Sequence, residues 1–267
     1  MSPPSVALVI NTHEQPEYLR RVLAAVSRQT TAPAEVVLAD DGSGGETRRV
    51  FAEWAAAWPG RTHHAWQEAA GFRRSRILNA ALAHVTAEWV VFLDGDTLPH
   101  PRFIADHQAQ ARLNRFTQGH RCLVEREAAE WFGQGDFARD RWRAWRSGQL
   151  SGGLRAFRWP LPWWRTRRDL RGIRGCNLGI WRADLIRVNG YNEAFEGWGR
   201  EDSELAVRLM NSGVLRRDVR GRCLCYHLWH PPADRSRVAA NDALLDAALR
   251  TRATRCEPGL DRHRPVA

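Results

Sequence analysis

The apolar run Trp89-Val90-Val91-Phe92-Leu93 ends in Asp94-Gly95-Asp96, two carboxylates one residue apart. Gly95 lets the backbone turn tightly, so both carboxylates can approach one cation. Hard divalent ions want oxygen ligands and leave part of their shell to substrate phosphates. The same triplet also serves as a plain turn or a helix cap, so its meaning depends on what else the chain brings to it. Thr12 with Glu14, Asp40-Asp41-Gly42 and Glu201-Asp202 are further polar sites with room for chemistry. Glu201 and Asp202 are equally what an ordinary helix N-terminus prefers. His227 and His230, three residues apart in the last strand, are equally what satisfied strand histidines look like. On an ideal strand their three-residue offset puts them on opposite faces. Both reach one ion only if the strand has ended by Leu228 or Trp229.

The elements that must carry these residues alternate through the first half. Val6 to Asn11 reads as a buried strand. A helix follows, with Leu19, Val22, Leu23 and Val26 on one face. Glu35 to Asp40 is a second short apolar run, ended by a turn signal at Asp41-Gly42-Ser43-Gly44-Gly45. Helical patterns cover Thr47 to Trp58 and Arg73 to Val85, and Glu88 to Asp94 is a third strand. Prolines at Pro99 and Pro101 suit the entrance of the next helix. This alternation predicts an α/β fold with a mostly parallel central sheet flanked by helices. Ligands of such sheets sit beyond the carboxyl ends of the strands. Here three strand exits deliver Thr12 and Glu14, Asp40 and Asp41, and Asp94 and Asp96 to one edge.

From about Glu125 to Arg174 the rhythm fades and tryptophan alternates with arginine, which predicts a loop-rich insertion. A strand from Asn177 to Arg182, a helix opening near Ala183-Asp184, a helix from Glu201 to Asn211 and a strand over Arg222 to His230 follow. The tail beyond Leu249 is arginine-rich and expected to fray. One domain over residues 1–250 accounts for this order: a first half over about 1–120, the insertion over 125–172 and a second half over 173–232, with a C-terminal helix and tail over 233–267.

All 40 basic residues are arginine, and the formal net charge is +10. That surplus favours anionic partners such as nucleotide phosphates, nucleic acid or an anionic membrane face. The five scattered cysteines form no CxxC pair, which argues against a disulfide framework or structural zinc and fits a reducing compartment. The N-terminus reads as a strand rather than a signal peptide. No stretch reaches the roughly 20 apolar residues of a membrane span. A cytoplasmic protein, soluble or peripheral on the inner face of the plasma membrane, is the expectation.

Five segments in order resemble glycosyltransferase family 2, enzymes of the GT-A nucleotide-diphospho-sugar transferase fold. They are VINTHEQPEYLRRVLAAVSRQ, EVVLADDGSGGETRRV, GFRRSRILNAAL, VVFLDGDTLPHPRFI and GCNLGIWRADLIRVNGYNEAFEGWGREDSELAVRL. The last also resembles the galactosyltransferase and N-acetylgalactosaminyltransferase type. The resemblance implies that Asp40 or Asp41 meets the base, with Thr12 and Glu14 beside it, and that Arg76 and Asn79 lie near ribose and phosphates. It implies Asp94 at ribose or metal and Asp96 on the metal, manganese or magnesium. His227 or His230, with His230 favoured, would be the later ligand. Asp202 would be the catalytic base with Glu201 beside it, and Trp198, Gly199 and Asn177 would hold donor or acceptor sugar. The resemblance further implies one catalytic domain, with 1–120 as its nucleotide-binding half and 173–232 as its acceptor half, and an inverting hexosyl transfer from a nucleotide sugar, uridine-linked as the first choice, to a bacterial surface glycan or lipid-linked precursor.

The Trp/Arg insertion matches no segment of that resemblance. Trp142, Trp145, Trp159, Trp163 and Trp164 could form an acceptor lid at an anionic membrane, or a packed subdomain with its tryptophans inward. Two other functions are the alternatives. A sugar nucleotidyltransferase would carry a glycine-rich basic phosphate loop near the N-terminus, which VINTHEQPEYL lacks. A basic nucleic-acid-binding protein would show a recognised motif, and none occurs. Gly42 to Thr47 partly mimics a dinucleotide fingerprint, but Thr47 replaces the last glycine.

Overall fold

The computed structural model describes residues 2–263. Residues 264–267, the end of the tail expected to fray, lie outside the described residues. The first four long strands are β1 (Val6–Thr12), β2 (Glu35–Asp40), β3 (Arg61–Trp66) and β4 (Trp89–Asp94). They pair in parallel in the order β3-β2-β1-β4. Helices α1 (Pro16–Ser27), α2 (Gly45–Ala57) and α3 (Arg74–Ala83) are the crossovers between them. All six residues of β2 and the first five of β4 are buried, as expected of strands covered on both faces. Register fixes the site: Thr12 stands opposite Asp40, and Asn11 opposite Asp94, so these exits share one edge.

Beyond β4 the chain adds β5 (Thr97–Pro99), α4 (Phe103–Gln110), β6 (Arg115–Gln118), β7 (His120–Val124), α5 (Arg126–Ala129), α6 (Phe137–Arg146) and β8 (Trp163–Arg167). Then come β9 (Leu178–Trp181), α7 (Arg182–Arg187), α8 (Glu201–Asn211), β10 (Leu215–Arg220), β11 (Leu224–Leu228) and α9 (Val238–Thr251). The large sheet continues from β4 through β9, β6, β10 and β8, where antiparallel pairs at β4–β9, β6–β9 and β8–β10 join one parallel pair. A second sheet, β5-β11-β7, stands beside it. One apolar core lies between this small sheet, α1 and the large sheet; another fills the opposite face under α3 and α8.

One expectation is refined and one corrected. The loop-rich insertion also forms α6, capped where Asp136 accepts from the Arg139 amide at 2.8 Å, and β8, the edge strand of the large sheet. Its tryptophans divide, with Trp142, Trp163 and Trp164 about half exposed and Trp145 packed against the core. The tail does not fray before residue 263. Cys256 and Leu260 are buried, and Asn189 binds the Cys256 carbonyl at 2.9 Å.

Candidate active site

Strand β11 ends at Leu228, and that ending decides the histidine question. Once the chain leaves the sheet, His230 can turn back to the side that His227 faces. His227 Nδ1 lies 3.0 Å from Asp96 Oδ1, and His230 Nε2 lies 3.1 Å from Asp96 Oδ2. Ligand atoms of the three residues all fall within 4.8 Å of one another. Thr97 donates a further hydrogen bond to Asp96 at 2.9 Å. Burial alone would raise the Asp96 carboxyl; hydrogen bonds from His227 and His230 hold it well below the usual range. His230 Nδ1 lies 2.7 Å from the Pro231 carbonyl, which can only accept, so Nδ1 keeps its proton and Nε2 faces the cluster. The hydrogen bond to Asp96 raises the His230 pKa, favouring a second proton on Nε2 that a bound cation would displace.

Arg74, at the first turn of α3, joins this cluster to Glu201-Asp202. Its Nη2 lies 3.2 Å from Asp94, and its Nη1 lies 3.0 Å from both Glu201 and Asp202. Asp202 also accepts from the Gly175 amide at 2.8 Å. A Cβ on Gly175 would overlap the Asp202 carboxylate, so the residue must be glycine for this contact. Burial is the main force on Glu201, followed by the charge of Asp202, and together they push its carboxyl up to about 7. Burial likewise raises Asp94, partly offset by Arg74. Burial alone would loosen the Arg74 proton, but the three carboxylates hold it firmly. The result is one line of contacts, Asp202 to Arg74 to Asp94, with Asp96 and its histidines at the next turn.

The strand exits of β1 and β2 form the neighbouring wall. Asp40 is buried, paired with His64 at 2.9 Å and with the Ser43 amide at 2.8 Å. Burial would raise its carboxyl, but His64 and Ser43 bring it below the usual value. Asp41 accepts from the Arg73 amide at 2.8 Å. Glu14 adopts φ 48° and accepts from the Gly44 amide at 2.8 Å. Asn11 Oδ1, Thr12 Oγ1, Gln67 Oε1 and Arg73 Nε are buried without partners among the described residues. Buried polar atoms are normally hydrogen-bonded, so these four leave bonds for a polar ligand. Gly95 is required beside them, because a Cβ there would stand 2.8 Å from Thr12 Oγ1.

Several residues expected at the site are held elsewhere. Arg76 is exposed and makes no ion pair among the described residues, whereas Arg74, two positions earlier, holds the carboxylates. Asn79 is fully buried and spends its amide on Tyr191 and Glu193. Asn177 is fully buried between the two sheets, bonded to His107, Cys223 and Cys225. Trp198 is 43% exposed under the Arg235 guanidinium, on a cleft of about 410 Å³ that Phe72, Arg73 and Arg237 also line. Gly199 adopts φ 105°, where other residues are strained, just before Glu201.

The chain is 29% identical over 233 residues to validoxylamine A glucosyltransferase of Streptomyces hygroscopicus subsp. limoneus, covering 79% of this chain and 49% of that one. It is 23% identical over 238 residues to chondroitin synthase of Escherichia coli, covering 83% and 34%. The chain therefore spans about half or less of the length of these relatives. Among solved structures, the mannosyltransferase PcManGT of Pyrobaculum calidifontis, in complex with GDP-Man and Mn2+, aligns with TM-score 0.59 at 21% identity, covering 93% and 65%. TarS 1-349 of S. aureus aligns at 0.66 and 12%, covering 97% and 68%. Both likenesses show the fold, the α/β arrangement of GT-A glycosyltransferases. Residues 155–228 match the model described as N-terminal domain of galactosyltransferase. Residues 7–163, more than half the chain, match the model of Glycosyl transferase family 2, and the chain belongs to that family.

Proposed function

We propose that this glycosyltransferase moves a hexosyl group from a uridine diphosphate sugar to an acceptor hydroxyl with inversion at the anomeric carbon. The observation that carries the reading is the contact line from Asp202 through Arg74 and Asp94 to the Asp96 cluster, which would set a base beside a cation site. Asp96, His227 and His230 would hold a divalent ion, and the donor set fits one. Two imidazoles suit manganese better than magnesium, which keeps to oxygen ligands and water. When bound, that ion supplies positive charge to the departing diphosphate.

The chain's own residues do the rest. Thr12, Glu14, Asp40 and Asp41 line the wall that would take the nucleotide, and the unpaired atoms of Asn11, Gln67 and Arg73 offer it hydrogen bonds. Asp202 would accept the proton of the acceptor hydroxyl as that oxygen bonds to the anomeric carbon. The bond from that carbon to the diphosphate breaks, and its electron pair leaves with the diphosphate. Arg74 and the Gly175 amide fix Asp202 for this task. One base and one direct displacement give inversion. Residues 1–250 would act as one catalytic unit, and Trp198 and Gly199 would border the sugar.

A bacterial surface glycan or its lipid-linked precursor is the proposed acceptor, reached from the cytoplasmic face. Among the described residues no helix is long and apolar enough to cross a membrane. Peripheral attachment would use the exposed Trp163 and Trp164 with the net charge of +10. The test of function is a screen of nucleotide sugars with and without Mn2+, repeated on Asp202→Asn. The variant should bind donor normally and lose about 10²–10⁴ in transfer rate, the usual contribution of a positioned base. Full activity in the variant would overturn the base assignment.

A further inference from the structure

Most part-buried arginines of this chain are saturated. Arg158 grips both oxygens of Asp106 at 2.8 to 3.1 Å, and Arg208 chelates Glu204 at 2.7 and 2.8 Å. Arg216 and Arg222 end on backbone carbonyls. Arg121 is different. It is only partly exposed, and among the described residues its guanidinium makes no ion pair; its side-chain hydrogen bond goes to the Cys176 thiol. The groups that face it are the thiols of Cys176 and Cys225 and, beyond ion-pair distance, the carboxylate of Asp94. The Cys225 thiol and burial keep Cys176 protonated, and Asp94 shares the Arg74 charge with Glu201 and Asp202 while attracting Arg121 from beyond ion-pair distance.

Strand register says where Arg121 points. In the small sheet Arg121 stands opposite Cys225, and Leu123 stands opposite His227. Cys122 and Val124, on the other face of β7, are buried in the core with Tyr226. Arg121, Leu123, Cys225 and His227 therefore share the face turned to the catalytic cleft. Two residues along a strand and one strand across put the Cα of Arg121 about 8 Å from that of His227. Leu123 between them is 41% exposed, so the surface is open.

We propose that Arg121 binds an anionic oxygen group, a carboxylate or phosphate, carried by the acceptor sugar, and so selects acidic over neutral acceptors. This rests on the transfer reaction proposed above. Among the described residues no carboxylate lies within ion-pair distance of Arg121, so an acidic ligand would add a charge-assisted bond that a neutral one does not. The acceptor is the better source than the donor. Arg121 faces the turn at Gly175-Cys176, whose Gly175 amide positions Asp202, the group the acceptor must approach. The nucleotide wall at Thr12 and Asp40 belongs to other strands, β1 and β2.

The test compares glucuronate and glucose 6-phosphate with neutral glucose, titrated by calorimetry and ligand-observed NMR with and without UDP and Mn2+. Wild type should bind at least one acidic sugar about tenfold or more tighter than glucose, as expected of a charge-assisted pair. Arg121→Gln should erase that preference, Arg121→Lys should keep part of it, and both should melt near wild type and bind UDP–Mn2+ equally well. No acidic preference in wild type would overturn the proposal. So would a loss of UDP affinity in Arg121→Gln with the sugar preference intact. Absence of UDP–Mn2+ binding to wild type counts instead against the donor reading, while the nucleotide-free titrations still decide the role of Arg121.

Discussion

Arg74 and Asp202 meet at 3.0 Å, joining the first turn of α3 to the first turn of α8 across 128 positions of sequence. The same guanidinium also pairs with Glu201 and Asp94. Removing it leaves three neighbouring carboxylates without their shared cation. Arg74→Ala should therefore lose about 3–5 kcal/mol, the cost of orphaning a buried ion pair. Arg74→Lys should lose less, since it keeps the charge but not the fork. Urea unfolding checks this, and an Arg74→Ala variant as stable as wild type would contradict it.

Glu201 predicts the pH dependence of stability. Burial, then the charge of Asp202, lifts its carboxyl to about 7, against roughly 4.3 for an unfolded glutamate. A raised folded-state value favours the protonated form in the native state. Its contribution is complete below about pH 4 and is lost as pH rises through 7. Across pH 5 to 8 the melting temperature of wild type should thus fall relative to Glu201→Gln, which has no proton to lose. Parallel profiles would show that Glu201 titrates normally.

Gly175 is a steric prediction. A methyl group there would collide with the Asp202 carboxylate. Gly175→Ala should displace the base, costing about 1–3 kcal/mol of stability by overpacking. Transfer should fall far more than UDP–Mn2+ affinity, because the cation cluster lies on β11 and the turn after β4. Equal losses in both would mean the effect is general disorder of the site.

Metal affinity should depend on pH. Asp96 raises the His230 pKa, so a cation must displace a proton that persists above the usual histidine range. Mn2+ binding, followed by electron paramagnetic resonance, should strengthen from pH 6 to 8. A flat profile would place the ion on ligands other than His230.

Much of the catalytic edge was legible in the sequence because its strands are buried on both faces and read as continuous apolar runs. Val6 to Thr12, Glu35 to Asp40 and Trp89 to Asp94 are such runs, and the carboxylates follow at their ends. Strand β3 was not legible. It is an edge strand whose residues Arg61, Thr62, His63 and His64 are at least partly exposed and carry no apolar pattern. Strand β10 hid for another reason: Arg216 and Asp218 are buried in an arginine-rich ion-pair network, and Arg217 is buried against Gln110 and Trp164, which no hydropathy pattern announces. The Trp/Arg alternation masked α6, in which only Ala144 is fully buried. Arg74 and Arg76 lie in one motif, and only the helix phase of α3 against α8 distinguishes them. Asn79 and Asn177 are polar residues whose bonds close within the fold, which type and spacing alone do not reveal.

The central claim is that Asp96, His227 and His230 hold a divalent ion against the diphosphate of the donor. A crystal soaked with UDP and Mn2+, measured at the manganese absorption edge, tests it most directly. The account predicts the strongest anomalous peak among those three side chains, with diphosphate oxygens on its open side. A peak elsewhere, or UDP bound with those three residues untouched, would contradict it.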